Sequence, residues 1–213
     1  MKERYSEIPE LPKILVIINP FSCNGRSLRV WRRARQIFEK SSYFVEEIET
    51  QRAKHGSEIA KDLNMSEWHC LVTVSGDGLI HEVVNGLMNR EDQAYWKNPV
   101  PIGVLPGGTS DGLGKTVVTE SGEAYTLNNQ IYCILRGKPR KIDVQEITFE
   151  SKPDEKVYSF LLVCWAMISD ADLESEVIRW MGSPRMTVWT VWRLLALRRY
   201  RCKFSFEGQE LTH

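Results

Sequence analysis

The chain has 213 residues, 42% hydrophobic and 26% charged, enough for one large or two small folded domains. Its formal net charge of +0 excludes a global pull toward nucleic acid or an anionic membrane, so such attraction must come from local patches. No nucleic-acid partner is therefore expected, and no run of about 18 apolar residues offers a membrane-crossing helix. Cysteines at 23, 70, 133, 164 and 202 are irregularly spaced without a CxxC pair. They read as reduced thiols of a cytoplasmic protein rather than a disulfide framework. The polar start Met1-Lys-Glu-Arg-Tyr5 is not a signal-peptide pattern.

Residues 1–12 read as a loose polar arm. The β-branched run from Lys13 to Ile18 predicts a buried strand, as in parallel sheets. A loop follows over Asn19–Gly25. Helical periodicity then runs from Ser27 to Lys40, with Leu28, Trp31, Ala34, Ile37 and Phe38 on one side. Phe44–Thr50 predicts a second strand and Gly56–Leu63 a second helix. Cys70–Val74 predicts a third strand, leading through Ser75-Gly-Asp-Gly78 into a helix reaching Asn85. A fourth strand, Ile102–Leu105, ends at Pro106-Gly-Gly-Thr109. The alternation predicts an α/β domain with a parallel sheet over 13–138. From 139 the pattern changes. Lys141–Phe149 and Val157–Cys164 read as paired strands joined by a turn over Ser151–Glu155, the beginning of an antiparallel β-rich domain over 139–213. Met186–Tyr200 reads as a helix and Arg201–Phe206 as a strand.

Open parallel sheets bind ligands beyond the carboxyl ends of their strands. The loops Asn19–Gly25, Ser75–Gly78 and Pro106–Asp111 all occupy such places. Glycines at Gly76 and Gly78 allow backbone N–H groups to approach a phosphate closely. Asp77 could then accept a proton from an attacking hydroxyl or help hold Mg²⁺, or it could simply cap a helix. His81 and Glu82 lie one turn on. They read as a solvated helix face or, for Glu82, as support for the loop or reach toward a nucleotide. Asn19 can brace its loop through its side chain, and Pro20 stiffens it. A Walker A pattern, GxxxxGK[ST], is absent. Asp172, Glu174 and Glu176 on their own read as an acidic face in water.

Together, Ile17-Ile-Asn-Pro20, the run Ser75-Gly-Asp-Gly-Leu-Ile-His-Glu-Val-Val-Asn-Gly-Leu87 and Leu105-Pro-Gly-Gly-Thr109 resemble the diacylglycerol kinase catalytic domain superfamily. Within it the middle run resembles the sphingosine kinases. Asp170–Glu176, Arg179, Arg185 and Arg193–Tyr200 are similar to the substrate region of that group. The resemblance implies transfer of the ATP γ-phosphate, with Mg²⁺, to the primary hydroxyl of sphingosine or a related long-chain base. Asp77 would be the base. Ser75, Gly76, Asp77 and Gly78 would face the substrate, and Asp172 would hold the lipid head group. Asn19, Pro20, Phe21, Thr50, Gln51, Arg52, Ala53, Lys54, Ser75, Gly76, Gly78, Glu82, Gly108, Thr109 and Ser110 would line the nucleotide. Arg179 and Arg185 would meet its phosphates.

The sequence departs from the family's Gly-Ser/Thr-Gly-Asn loop by carrying Ser110 and Asp111, which add a Cβ and a negative charge near an anion. The family also closes its lipid pocket with a longer β-rich domain than these residues supply. A shortened or fragmentary product acting as a binding or regulatory protein is therefore the alternative, as is a kinase for ceramide or diacylglycerol. The helix over Met186–Leu197 is apolar on nearly every side. Core burial is the expectation, and peripheral membrane contact through Val188, Val191 and Trp192 the alternative.

Overall fold

A computed structural model describes residues 11–92, 100–182, 184–206 and 209–212. The chain divides into two compact units, Met1–Leu161 and Leu162–His213. The arm expected over 1–12 lies, up to residue 10, outside the described residues, as does the Arg179 side chain.

The first unit is built on four parallel strands: β1 (Lys13–Ile18), β2 (Phe44–Glu49), β3 (Cys70–Ser75) and β4 (Ile102–Pro106), in the spatial order β2-β1-β3-β4. Ile14 to Ile18 are exposed by 1% or less, because helices cover both faces of the central strand and leave no position for a polar residue. On one face, α1 (Arg26–Phe38) lays down Trp31, Ala34 and Phe38, beside Ile131 of α5 (Leu127–Arg136). On the other, α2 (His55–Asp62) and α3 (Asp77–Met88) contribute Ala60, Leu79, Val83 and Leu87. Each such side chain, fully buried, contributes about 1.5–3 kcal/mol. A further helix, α4 (Gly112–Glu120), follows β4.

The strand order positions the site. The chain leaves β1 to one side for β2 and returns to the other side for β3. Connections leaving the ends of β1 and β3 therefore diverge and open a crevice there.

A two-stranded antiparallel sheet, β5 (Gln145–Phe149) and β6 (Lys152–Ser159), completes the unit. The turn expected over Ser151–Glu155 is shorter. β6 begins at Lys152, and the register jumps from Phe149↔Lys152 to Thr148↔Lys156. Pro153, Asp154 and Glu155 thus bulge out of the ladder, where a proline without an N–H is tolerated. Asn85 on α3 fastens β6. Its Oδ1 accepts from Tyr158 N at 2.8 Å and its Nδ2 donates to Tyr158 O at 2.8 Å.

The second unit contains α6 (Met167–Glu174), a 3₁₀ stretch over Ser175–Met181, α7 (Pro184–Leu195) and a hairpin, β7 (Lys203–Phe206) and β8 (Gln209–Thr212). A polar hub joins α6 to α7. Glu174 accepts from Trp189 Nε1 at 3.0 Å, from Arg198 Nη1 at 2.8 Å and from Arg193 Nη2. Hydrogen bonding by Arg193 first, then Trp189, holds the Glu174 carboxyl down at about 2. Core burial is expected for α7 from sequence. The structure instead buries Arg193 on the α6 side and leaves Val188, Val191 and Trp192 about half exposed (48%, 52% and 56%).

Candidate active site

The loops singled out in the sequence meet at the carboxyl ends of β1, β3 and β4. After β1, Asn19 Oδ1 accepts from Phe21 N at 3.0 Å, closing the chain on itself. Cys23 and Asn24 take positive φ before Gly25 at φ 78° releases the chain into α1. Across the crevice, Ser22 Oγ donates to Gly107 O at 2.9 Å, Arg26 Nη1 donates to Gly108 O at 3.2 Å, and Cys23 Sγ lies 3.2 Å from Thr109 Oγ1. The loop after β4 is thereby tied to the loop after β1.

Glycine is required where the loops after β3 and β4 touch. A Cβ built on Gly108 would come within 2.3 Å of Gly76 Cα, and one on Gly76 within 3.0 Å of Gly108 Cα. The two backbones pack directly on each other. Nothing lies within 4 Å of the corresponding position on Gly78, which faces open space. Backbone N–H groups bordering such space are ready donors for a phosphate.

Asp77 occupies the first helical position of α3, with Gly76 as N-cap. Its Oδ2 accepts from Gly112 N at 2.8 Å and its Oδ1 from Leu113 N at 3.1 Å. The side chain caps α4 from a neighbouring helix, so its plane is fixed at the amino ends of two helices. Each carboxylate oxygen retains a lone pair for a proton or a cation. Glu82 does similar work nearby: its Oε1 and Oε2 accept from Lys54 N and Gly56 N, each at 3.0 Å. That bond holds Lys54 in its left-handed conformation at φ 65°. Thr50 is buried, whereas Gln51, Arg52, Ala53 and Lys54 are exposed along the same rim, with Arg52 paired to Glu58. Phe21, Thr109 and Ser110 are exposed, and Pro20 is half-buried.

Asp111 was expected to bring negative charge toward an anion. The structure turns it inward. It is 3% exposed, and its Oδ1 accepts from Gly108 N at 2.9 Å. Its Oδ2 receives the Tyr125 hydroxyl at 3.4 Å. Burial first, and nearby Asp77 among the lesser causes, raises the Asp111 carboxyl above its ordinary value. Tyr125 is pushed up to about 12, by burial and then by Asp111. A carboxyl whose folded value is raised costs stability as pH rises from its unfolded value through the folded one. Asp111→Asn keeps an acceptor for Gly108 N–H without the charge. It is therefore expected to raise Tm at neutral pH and leave it unchanged near pH 4, measured by thermal unfolding; an equal shift at both pH values would contradict this.

Asp172, Arg179 and Arg185 belong to the second unit. Asp170 is taken up by Arg198 at 2.9 Å and the Tyr200 hydroxyl at 2.6 Å, Glu174 by the hub above, and Glu176 by Arg185. Asp172 is exposed and makes no ion pair among the described residues. Sequence reasoning missed Ser22, Arg26 and Tyr125. Their signal was weak, since each acts on backbone or on a buried carboxylate far away in sequence. Among the described residues no group of three or more His, Cys, Asp or Glu is placed to hold a metal.

The pattern of the diacylglycerol kinase catalytic domain matches residues 13–147. Sphingosine kinase 1 of Arabidopsis thaliana is 34% identical over 197 residues, covering 91% of this chain and 39% of that protein. Sphingosine kinase 2 of Homo sapiens is 36% identical over 210 residues, covering 93% and 31%, and human sphingosine kinase 1 is 31% identical, covering 93% and 53%. The chain thus spans between about a third and about half the length of these relatives. The crystal structure of a diacylglycerol kinase from Bacillus anthracis str. Sterne shares the fold, with a TM-score of 0.58 at 16% identity, covering 94% of this chain and 61% of that one.

Proposed function

The chain belongs to the diacylglycerol kinase catalytic domain family, and on that premise we propose that it forms the nucleotide-binding part of an ATP-dependent lipid kinase acting on sphingosine or a related long-chain base. The observation that carries the reading is the tying of the loops after β1 and β3 to the loop after β4, with the Asp77 carboxylate set between the last two beside the contact of Gly76 with Gly108.

In this reading the γ-phosphate lies over the open side of Gly78, close to the amino end of α3. Asp77 takes the proton of the lipid's primary hydroxyl, whose oxygen forms the new bond to phosphorus as the bond to ADP breaks. Asn19, Pro20, Phe21, the Thr50–Lys54 rim, Glu82 and Gly108–Ser110 border the nucleotide. Mg²⁺ would neutralise charge on the β- and γ-phosphates. A hard cation held mainly by phosphates and waters needs one or two carboxylates rather than a protein cage, so no dedicated metal cluster is required of these residues. Asp172, without an ion pair among the described residues where Asp170, Glu174 and Glu176 are engaged, suits the ammonium and hydroxyl of a long-chain base. Arg179 and Arg185 would serve the phosphates.

The reading favours a long-chain base over ceramide or diacylglycerol because Asp172 offers a partner for an ammonium that those lipids lack. A panel of the three lipids with radiolabelled ATP tests it: labelled sphingosine 1-phosphate is the expected product, and labelling of ceramide or diacylglycerol alone would contradict it. Val188, Val191 and Trp192 supply a route to peripheral membrane contact, with Arg198, Arg199 and Arg201 nearby for anionic lipid. Trp192→Asp is expected to reduce co-sedimentation with anionic liposomes several-fold. Unchanged sedimentation with the fold retained would remove this contact.

A further inference from the structure

On the face of the sheet covered by α1 and α5 lies a groove of about 410 Å³, lined by Arg26, Arg29, Val30 and Arg33 of α1, Pro106 at the end of β4, and Tyr125, Thr126, Leu127 and Gln130 at the start of α5. We propose that this groove is a second anion site, taking a small phosphate monoester whose organic part rests on Val30, Pro106 and Leu127.

The charge comes from one stripe. Arg26, Arg29 and Arg33, at positions i, i+3 and i+7, share a side of α1. Arg29 and Arg33 make no ion pair among the described residues, although Arg35 on the same helix is paired with both Glu39 and Glu47. Asp111, which interacts with Arg26, is buried and already engaged by Gly108 N–H and Tyr125. Lys115 adds a further positive charge, 5.7 Å from the Tyr125 ring centre. Three forked guanidinium donors match the oxygens of a dianionic phosphate.

Two further observations point to a ligand. The ten-residue α5 presents its amino end to the groove. Thr126 spends its side chain on Asn129 N and its carbonyl on Gln130 N, while Leu127 N and Asn128 N have no acceptor among the described residues. Gln130, which lines the groove, is 2% exposed, and its amide closes no hydrogen bond of ordinary geometry among the described residues, although the Tyr125 hydroxyl is close enough to interact with it. A buried amide left this poorly satisfied is costly, and a bound polar group would relieve it.

The groove also reaches the phosphate loop, because Arg26 lines it and donates to Gly108 O. An occupant that draws on Arg26 changes the restraint on that loop, and by reciprocity nucleotide there changes the groove's affinity. Binding itself does not depend on the proposed kinase activity.

The test is titration of the ¹⁵N-labelled full chain with phenyl phosphate, and in a separate arm with phosphatidylcholine vesicles containing phosphatidic acid. Phenyl phosphate is expected to shift the Leu127 and Asn128 amides, with affinity falling about tenfold or more in Arg29→Ala/Arg33→Ala. Both arginines are exposed, so that variant keeps its fold. Gln130→Met, of similar size without the amide, is expected to weaken binding too. Loss of vesicle binding in the double variant, without a phenyl phosphate response, would support the site and assign it to a lipid head group. No response in either arm, or a response unchanged in the double variant, would overturn it.

Discussion

Asp77→Asn, in a catalytically active form of the protein, is expected to lower turnover by about a hundred- to ten-thousandfold, the range lost with a general base. The same substitution has a structural consequence. Both oxygens of Asp77 accept backbone N–H groups, from Gly112 and Leu113. An asparagine has one acceptor oxygen, so its NH₂ would face one of those donors. Leaving that N–H unsatisfied costs about 1–3 kcal/mol. The variant is therefore expected to melt lower but remain folded at assay temperature, and unfolding and turnover have to be measured together. Activity lost in a folded variant supports proton transfer at Asp77. Near-normal turnover with a lowered Tm would leave this residue the cap of α4 alone.

Gly108→Ala is expected to have the next largest effect. The added methyl would meet Gly76 Cα at 2.3 Å, Asp111 Oδ1 at 2.8 Å and Gly76 N at 2.9 Å. Two of those three atoms are backbone, so no flexible side chain can swing away to make room. Overpacking of this kind costs about 1–3 kcal/mol. Here the strain falls on the junction between the loops after β3 and β4, and on the Gly108 N–H that Asp111 holds. Nucleotide affinity should fall at least about tenfold, since 1.4 kcal/mol is a factor of ten. Calorimetric titration with ATP reads this directly. Wild-type affinity in a folded Gly108→Ala protein would mean that this junction does not border the nucleotide.

The sheet was legible because burial on both faces forces apolar runs: Ile14–Ile18 is wholly apolar, and Leu71–Val74 is interrupted only by the β-branched Thr73. The convergence of the three loops followed from their places at strand ends. What lay beyond reach was contact between residues far apart in sequence. Asn85 reads as one more residue of a helical motif, yet it pins β6 through Tyr158 across the sheet's edge. Asp111 reads as an exposed charge because nothing local shows that Gly108 N–H and the Tyr125 hydroxyl enclose it.

Whole helices also escaped. α4, with Gly112, Gly114 and the β-branched pair Val117-Val118, has weak propensity, and its start is set by Asp77 from a different element. α5 carries a legible signal, the Thr126 cap ahead of Ile131, Ile134 and Leu135. α6 was hidden behind its acidic residues, whose partners Arg193, Arg198 and Tyr200 lie well along the chain. The predicted helix over Met186–Tyr200 stops at Leu195.

The most direct test of the central claim is hydrogen exchange of the chain with and without ATP and Mg²⁺, followed peptide by peptide. Slower exchange should concentrate in the segments 19–25, 75–78 and 106–113, the three strand-end loops that are tied together beside Asp77. Protection located elsewhere, with those three segments unchanged under saturating nucleotide, would contradict the account.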